Sequence, residues 1–151
     1  MTTPDRIEKK AVLRAARSRV WRALANAEEF GKWFGVKLEG PFTEGANVRG
    51  SITSPGYEHV TLEVLVERIE PERYLAFRWH PYAIQPNVDY SNEPTTLVEF
   101  RLEDDSGGTL LTIVESGFDR IPLGRRDESF RMNEGGWSEQ LKNIELHVSR
   151  A

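Results

Sequence analysis

The apolar pattern of the last stretch of the chain, from Asp127 to Ala151, constrains the fold most. Apolar residues recur there at steps of seven, four, three and four positions, at Phe130, Trp137, Leu141, Ile144 and Val148. These steps place them on one face of a long helix. Segments typical of strands precede it, so the order predicts an α+β fold in which one helix covers a mostly antiparallel sheet. A single helical face rarely fills the space above a long curved sheet, and a pocket between the two is expected.

Composition limits the classes of protein that fit. The chain has 151 residues, of which 38% are hydrophobic, which predicts one domain over residues 1–151. The net charge of -4 arises from interspersed signs, and without a basic stripe no nucleic-acid partner is expected. No cysteine is present, so disulfides and thiol chemistry are excluded. The three histidines, His59, His80 and His147, are scattered, so we predict neither a metal site nor a cofactor.

The N-terminal residues from Met1 to Arg6 contain no apolar segment of the kind found in signal peptides. No apolar run approaches the roughly 20 residues that a membrane span needs. We therefore expect a soluble cytoplasmic protein without a membrane span.

The remaining elements can be placed from turn residues and apolar alternation. They are a first strand over 6–14, two short helices between 20 and 35, short strands over 36–54, a hairpin of 60–67 with 74–80, and a second hairpin of 95–104 with 109–116. Ile69 breaks the alternation of the strand before it, which predicts a bulge near Glu67 and Arg68. The polar segment 81–94 is longer than most loops and is expected to form a rim. Within the last helix, Gly135 and Gly136 predict a kink or a close backbone approach.

Several segments together resemble a known family. They are Val20 to Leu24 followed by Phe30 to Phe34, Ile69 to Trp79, Thr109 to Phe118, and Gly136 to Leu141. In their order and content they resemble the START/Bet v 1-like (SRPBCC) superfamily, and within it the group named for the activator of heat shock protein 90 ATPase, its C-terminal domain in particular. The resemblance implies a helix-grip fold: a curved antiparallel sheet of about six or seven strands wrapped around a long C-terminal helix, with two short helices after strand one.

Glu115 is the strongest candidate for a functional residue. If Leu111 and Ile113 face inward, the alternation of the strand places Glu115 inward as well. Burial would then raise its pKa and let the carboxyl group donate or accept a hydrogen bond to a ligand. The alternative is that this strand end lies at the rim, where Glu115 pairs with an arginine in water.

Aromatic and apolar side chains could line the pocket around Glu115. The predicted lining residues are Trp33, Phe34, Phe77, Trp79, Phe100, Phe130, Trp137 and Leu141, and Tyr82 and Tyr90 on the long loop are the predicted gate. The alternative is that these aromatic residues form ordinary core. An empty apolar void of about 300 Å³ would cost about 7 kcal/mol, comparable to the whole stability of a domain. The pocket must therefore be small, wet or occupied.

Three functions fit these features. The first is binding of a small hydrophobic or aromatic molecule, such as a lipid or a polyketide-like compound, in the internal cavity. The second, implied by the resemblance, is a stress-response role through contact with a heat shock protein 90 homologue. The third is a cyclase-like or hydrolase-like enzyme that uses Glu115 as general acid or base, although the sequence presents no catalytic constellation. The protein is expected to be a monomer or a homodimer.

Overall fold

The computed structural model describes residues 4–149 and contains one seven-stranded antiparallel sheet. The strands are β1 (Arg6–Leu13), β2 (Val36–Leu38), β3 (Asn47–Ile52), β4 (Thr61–Glu70), β5 (Tyr74–Trp79), β6 (Thr96–Asp105) and β7 (Gly108–Ser116). The helices are α1 (Arg17–Ala25), α2 (Ala27–Phe34) and α3 (Leu123–Ser149), with a single 3₁₀ turn at Phe118–Arg120. The strands lie side by side in the order β1-β7-β6-β5-β4-β3-β2. This architecture confirms the predicted helix-grip fold.

The sheet follows the alternation of apolar residues in the sequence. In β5 and β6 the buried side chains Leu75, Phe77, Val98 and Phe100 face α3 and form much of the core. The predicted bulge is confirmed, because the register between β4 and β5 shifts between Val66 and Arg68. An extra residue at this point bends the strand, which helps the sheet to curve around the helix.

The two short helices form an elbow that Asn26 and Gly35 define. Asn26 ends α1 and begins α2, where its side-chain oxygen accepts a hydrogen bond from the Glu29 amide at 3.0 Å. Gly35 ends α2 with a φ of 90°, a left-handed conformation that favours glycine. Between these caps, Phe30 and Trp33 are buried against the sheet. The elbow therefore closes one end of the core.

The last helix begins earlier than the sequence pattern indicated. It starts at Leu123 rather than Asp127, because the Pro122 carbonyl accepts hydrogen bonds from the amides of the first turn. Of the predicted face, Trp137, Ile144 and Val148 are buried, whereas Phe130 and Leu141 are half-buried against the core. The predicted end of the helix, residues 150–151, lies outside the described residues.

The glycine pair in the middle of α3 is not a packing site. No atom outside the helix lies within 4 Å of where a Cβ would stand on Gly135 or Gly136. The predicted close backbone approach is therefore wrong. The helix runs through both positions on its exposed side.

None of the helices formed by residues 4–149 has the length and apolar character needed to cross a bilayer. In the same residues, no group of three or more histidine, aspartate or glutamate side chains is arranged to hold a metal ion.

Candidate functional site

The candidate site is built around Glu115, the second-last residue of β7. Its neighbours in the register are Val98 on β6 and Ile7 on β1, both buried on the face that α3 covers. The alternation of the strand therefore places Glu115 on the same face. The whole residue is 0% exposed, and it makes no ion pair with an arginine among the described residues.

The carboxylate of Glu115 accepts hydrogen bonds from four side chains. On Oε2, the Trp79 indole donates at 2.8 Å and the Thr96 hydroxyl at 2.5 Å. On Oε1, the Trp137 indole donates at 2.8 Å. The Asn133 amide nitrogen lies between the two oxygens, at 3.0 Å from Oε1 and 3.1 Å from Oε2. These contacts tie β5, β6, β7 and α3 together at one point.

The local structure explains how these four donors converge. Trp79 ends β5 and Thr96 begins β6, and the two are paired in the register, so both reach the same inner point. Asn133 and Trp137 are four residues apart on α3, which places them on one face of the helix one turn apart. Three regular elements, β5, β6 and α3, therefore present the donors, and a fourth, β7, presents the acceptor.

Burial and hydrogen bonding act on the pKa of Glu115 in opposite directions. Burial raises the pKa of Glu115 above its ordinary value, because the charged form loses its hydration. The hydrogen bonds from Thr96, Trp79, Trp137 and Asn133 act in the other direction, since they favour the ionised carboxylate. All four donors are neutral, so the desolvation effect prevails. Glu115 therefore holds its proton to a higher pH than an exposed glutamate does.

Aromatic rings surround this carboxylate and contact one another. The indoles of Trp79 and Trp137 are stacked, with centroids 5.7 Å apart and planes inclined by 21°. Phe100 lies 5.8 Å from Trp137, Phe77 lies 5.4 Å from Trp79, and Phe34 lies 5.9 Å from Trp79. The rings thus pack against one another around a carboxylate that is itself fully buried.

The other predicted lining residues make contacts elsewhere in the core. The indole of Trp33 donates to the Ala23 carbonyl at 2.7 Å, inside the elbow of the short helices. Phe130 packs on Phe118 at 5.1 Å, and Leu141 is half-buried against the core. The structure thus brings together Phe34, Phe77, Trp79, Phe100, Glu115 and Trp137, and Trp33 adjoins this group through Phe34, with ring centroids 5.8 Å apart.

The loop that carries the predicted gate is fastened to α3 by Arg125. The guanidinium group donates to the Glu93 carboxylate at 2.9 Å and to the carbonyls of Tyr82 and Pro81 at 3.1 and 3.0 Å. It also lies over the ring of Tyr90, 4.6 Å from the centroid. The loop connects Trp79 to Thr96, two of the donors to Glu115, so this clamp lies beside the site.

Sequence reasoning missed three residues of this arrangement. Thr96 shares the inward parity of Val98 and Phe100, and Asn133 lies one helical turn before Trp137. The sequence pattern could therefore have identified both residues. Arg125 had none, because its partners come from an irregular loop.

Two surface grooves lie away from this interior. One, of about 440 Å³, is bordered by Arg68, Glu70, Arg73, Tyr74, Arg101, Leu102 and Glu103. The other, of about 600 Å³, lies between α2 and β2. Neither is lined by a predicted site residue.

The fold and the site define a helix-grip protein with a polar centre buried under its terminal helix. Residues 14–149 match the family model described as activator of Hsp90 ATPase homolog 1-like protein, and the chain belongs to this family. No curated protein matches the sequence.

Solved structures share the fold at low sequence identity. Protein MLL2253 from Mesorhizobium loti has a TM-score of 0.76 at 19% identity, over 97% of this chain and 98% of that one. NE0264 from Nitrosomonas europaea has a TM-score of 0.75 at 20% identity, over 98% and 99%. The Aha1 dimer from Colwellia psychrerythraea has a TM-score of 0.71 at 15% identity, over 97% and 98%. At these identities the likeness concerns the fold alone.

Proposed function

We propose that this protein binds a small hydrophobic or aromatic molecule between α3 and the sheet, with Glu115 as the polar anchor. The observation that carries the proposal is the fully buried carboxylate held by four side-chain donors inside a cluster of aromatic rings. A core gains little stability from such a group, because well-packed apolar residues serve as well or better. Buried groups with perturbed pKa values are concentrated at functional sites.

The rings around Glu115 provide the apolar wall of the proposed site. Phe34, Phe77, Trp79, Phe100 and Trp137 would contact the ligand directly. Trp33, Phe130 and Leu141 would support them from the surrounding core. The edges and outer faces of the stacked indoles of Trp79 and Trp137 favour a flat ligand that packs against the pair while both N–H groups stay on the carboxylate.

The first half of α3 is the proposed entry route for the ligand. Between Leu123 and Gly136 only Ser129 is buried, whereas Trp137, Ile144 and Val148 hold the second half. Segments with few buried apolar contacts open at a low free-energy cost. Tyr82 and Tyr90, on the loop that Arg125 fastens to this half of the helix, would act as the gate.

The indole N–H signals of the four tryptophans provide the test. In ¹H–¹⁵N NMR spectra, titration with 2-naphthylmethanol should shift the signals of Trp79 and Trp137 in a saturable way. Trp21, on α1, is the internal control and should stay in place. Single tryptophan-to-phenylalanine variants assign the signals. Absence of saturable shifts at Trp79 and Trp137, with this probe and with 1-decanol, would contradict the proposal.

Chaperone contact is the second candidate, and the description of the matched family favours it. It places the function on the surface rather than in the interior. The test is the ATPase rate of the host's own heat shock protein 90 homologue with and without this protein. A Glu115→Gln variant should stimulate this rate as well as wild type does if the surface alone is responsible. No change in the rate with wild type would reject this candidate.

A further inference from the structure

Glu115 differs from the other shielded carboxylates of the protein in having no cation beside it. Glu29 is paired with Arg19 at 2.7 Å, and Glu93 is paired with Arg125 at 2.9 Å. Within residues 4–149, by contrast, no lysine, arginine or histidine makes a hydrogen bond or an ion pair with Glu115. Buried carboxylates are ordinarily paired with a positive charge. The most deeply buried carboxyl group of the three is therefore the one without a cationic partner among the described residues.

One of the four donors to Glu115 is replaceable. Trp79, Thr96 and Trp137 are buried, and each is fixed by strand pairing or by ring packing. Asn133 is half-buried, and its single nitrogen bridges both carboxylate oxygens from the side of α3. This bridging position, between the two oxygens, is where a cationic nitrogen would bind a carboxylate most favourably. Asn133 lies on α3 and not on a strand, so its replacement on Glu115 would leave the strand pairing intact.

The rings beside this position also favour a cation. Tryptophan and phenylalanine attract an ammonium group through the negative faces of their rings, and aromatic cages bind organic ammonium ions in this way. Trp137 contacts Phe34, Phe100 and Trp79 at centroid distances of 6.4, 5.8 and 5.7 Å. An ammonium group at the bridging position would thus have a carboxylate on one side and aromatic rings around it.

We propose that the ligand of this site is a hydrophobic amine, bound as its ammonium ion, whose nitrogen replaces the Asn133 amide on Glu115. This inference rests on the proposed function and adds the charge of the ligand to it. The apolar part of the molecule would lie among the rings of Phe34, Trp79 and Trp137. The ammonium group supplies the positive charge that the chain itself does not place beside Glu115.

Three probes of matched shape separate this inference from the proposed function. They are 2-naphthylmethylamine, 2-naphthylmethanol and 2-naphthoate, titrated into wild-type protein at pH 7 in 0.3 M salt and followed by the indole signals of Trp79 and Trp137. Because buried charge pairs are strongly coupled, the amine should bind at least about tenfold more tightly than the alcohol. The high salt suppresses weak attraction between the amine and the acidic surface.

Each outcome of this comparison is decisive. Preference for the amine supports the inference. Equal or tighter binding of the alcohol or the naphthoate overturns it and leaves the proposed function standing. If none of the three probes shifts the two indole signals, the proposed function and this inference fall together.

Matched variants test whether Glu115 and Asn133 determine the preference for the amine. Glu115→Gln should abolish the preference for the amine, whereas Glu134→Gln, on the exposed side of the same helix, should retain it. Asn133→Ala should leave amine affinity unchanged or make it tighter, because the group that competes for the carboxylate is gone. Asn143→Ala, on an exposed part of α3, should leave it unchanged. Amine binding more than about threefold weaker in Asn133→Ala alone would show that Asn133 belongs to the bound complex.

Discussion

Replacing Thr96 by valine probes the charge on Glu115 with little change of shape. The hydroxyl group lies 2.5 Å from Oε2, and its loss leaves the buried carboxylate with three donors instead of four. A hydrogen bond to a charged group contributes about 1.5–3 kcal/mol, so the variant should lose about 2 kcal/mol of unfolding free energy once the carboxyl group is ionised, and less while it is protonated. For a chain of this size that corresponds to a fall in Tm of about 4–8 °C.

The free-energy cost of Thr96→Val should increase with pH. Because burial raises the pKa of Glu115, the folded protein keeps the proton to a higher pH than the unfolded chain, whose carboxyl titrates near 4.5. Stability from this group therefore falls as pH rises above that value. Thr96→Val removes a donor that favours the ionised form, so its cost should grow with pH. Near pH 4, where the carboxyl is neutral, only about 1 kcal/mol should be lost.

Urea denaturation followed by circular dichroism at pH 4 and pH 8 measures the cost of the substitution. Thr112→Val, at a buried threonine in the same strand as Glu115 but on its other face, is the matched control and should cost less at both values. The reasoning is refuted if Thr96→Val costs the same free energy at both pH values, or no more than the control.

Three further substitutions test other parts of the structure. Arg125→Gln should speed hydrogen exchange of the loop amides over 81–94 at least about tenfold. Arg131→Gln, at an exposed residue on α3, should not change these rates. Equal exchange rates in the two variants would show that Arg125 does not hold the loop. Glu29→Gln should cost roughly 1–2 kcal/mol at pH 7, since the pKa of Glu29 is lowered by its cationic partners although burial acts to raise it. That cost should disappear as pH falls below 4.5 towards 3, which pH-dependent denaturation checks, and a constant cost would rule out the ionic contribution. Gly136→Ala should raise stability by about 0.5–1 kcal/mol in thermal unfolding, because open space surrounds the position; a loss would indicate hidden strain.

The regular elements were predictable because their apolar periodicity decides which face is buried. The inward position of Glu115 followed from Leu111 and Ile113 alone, since side chains in a strand alternate strictly. The break in parity at Ile69 likewise located the bulge between β4 and β5. In both cases one local pattern was sufficient.

Other features had no apolar periodicity to indicate them. The early start of α3 at Leu123 depends on the Pro122 carbonyl, in a turn without apolar periodicity. The clamp of Arg125 on the loop that carries Tyr82 and Tyr90 joins residues far apart in the chain, and no periodicity encodes such a contact. Asn133 could have been found from its helical spacing to Trp137, but a lone asparagine in a helix usually faces solvent.

The pairing of the first strand with the last one determines when the sheet can be completed. Ile7 lies opposite Glu115, about a hundred residues later in the chain, and the Phe118 amide donates to the Asp5 carbonyl beyond the end of that pairing. Contacts between such distant residues form slowly, because a long loop must close first. During synthesis at about 5–20 residues per second, β7 is therefore made about 5–20 seconds after β1. Over that interval the hydrogen-bonding groups of β1 lack the strand that satisfies them in the folded protein.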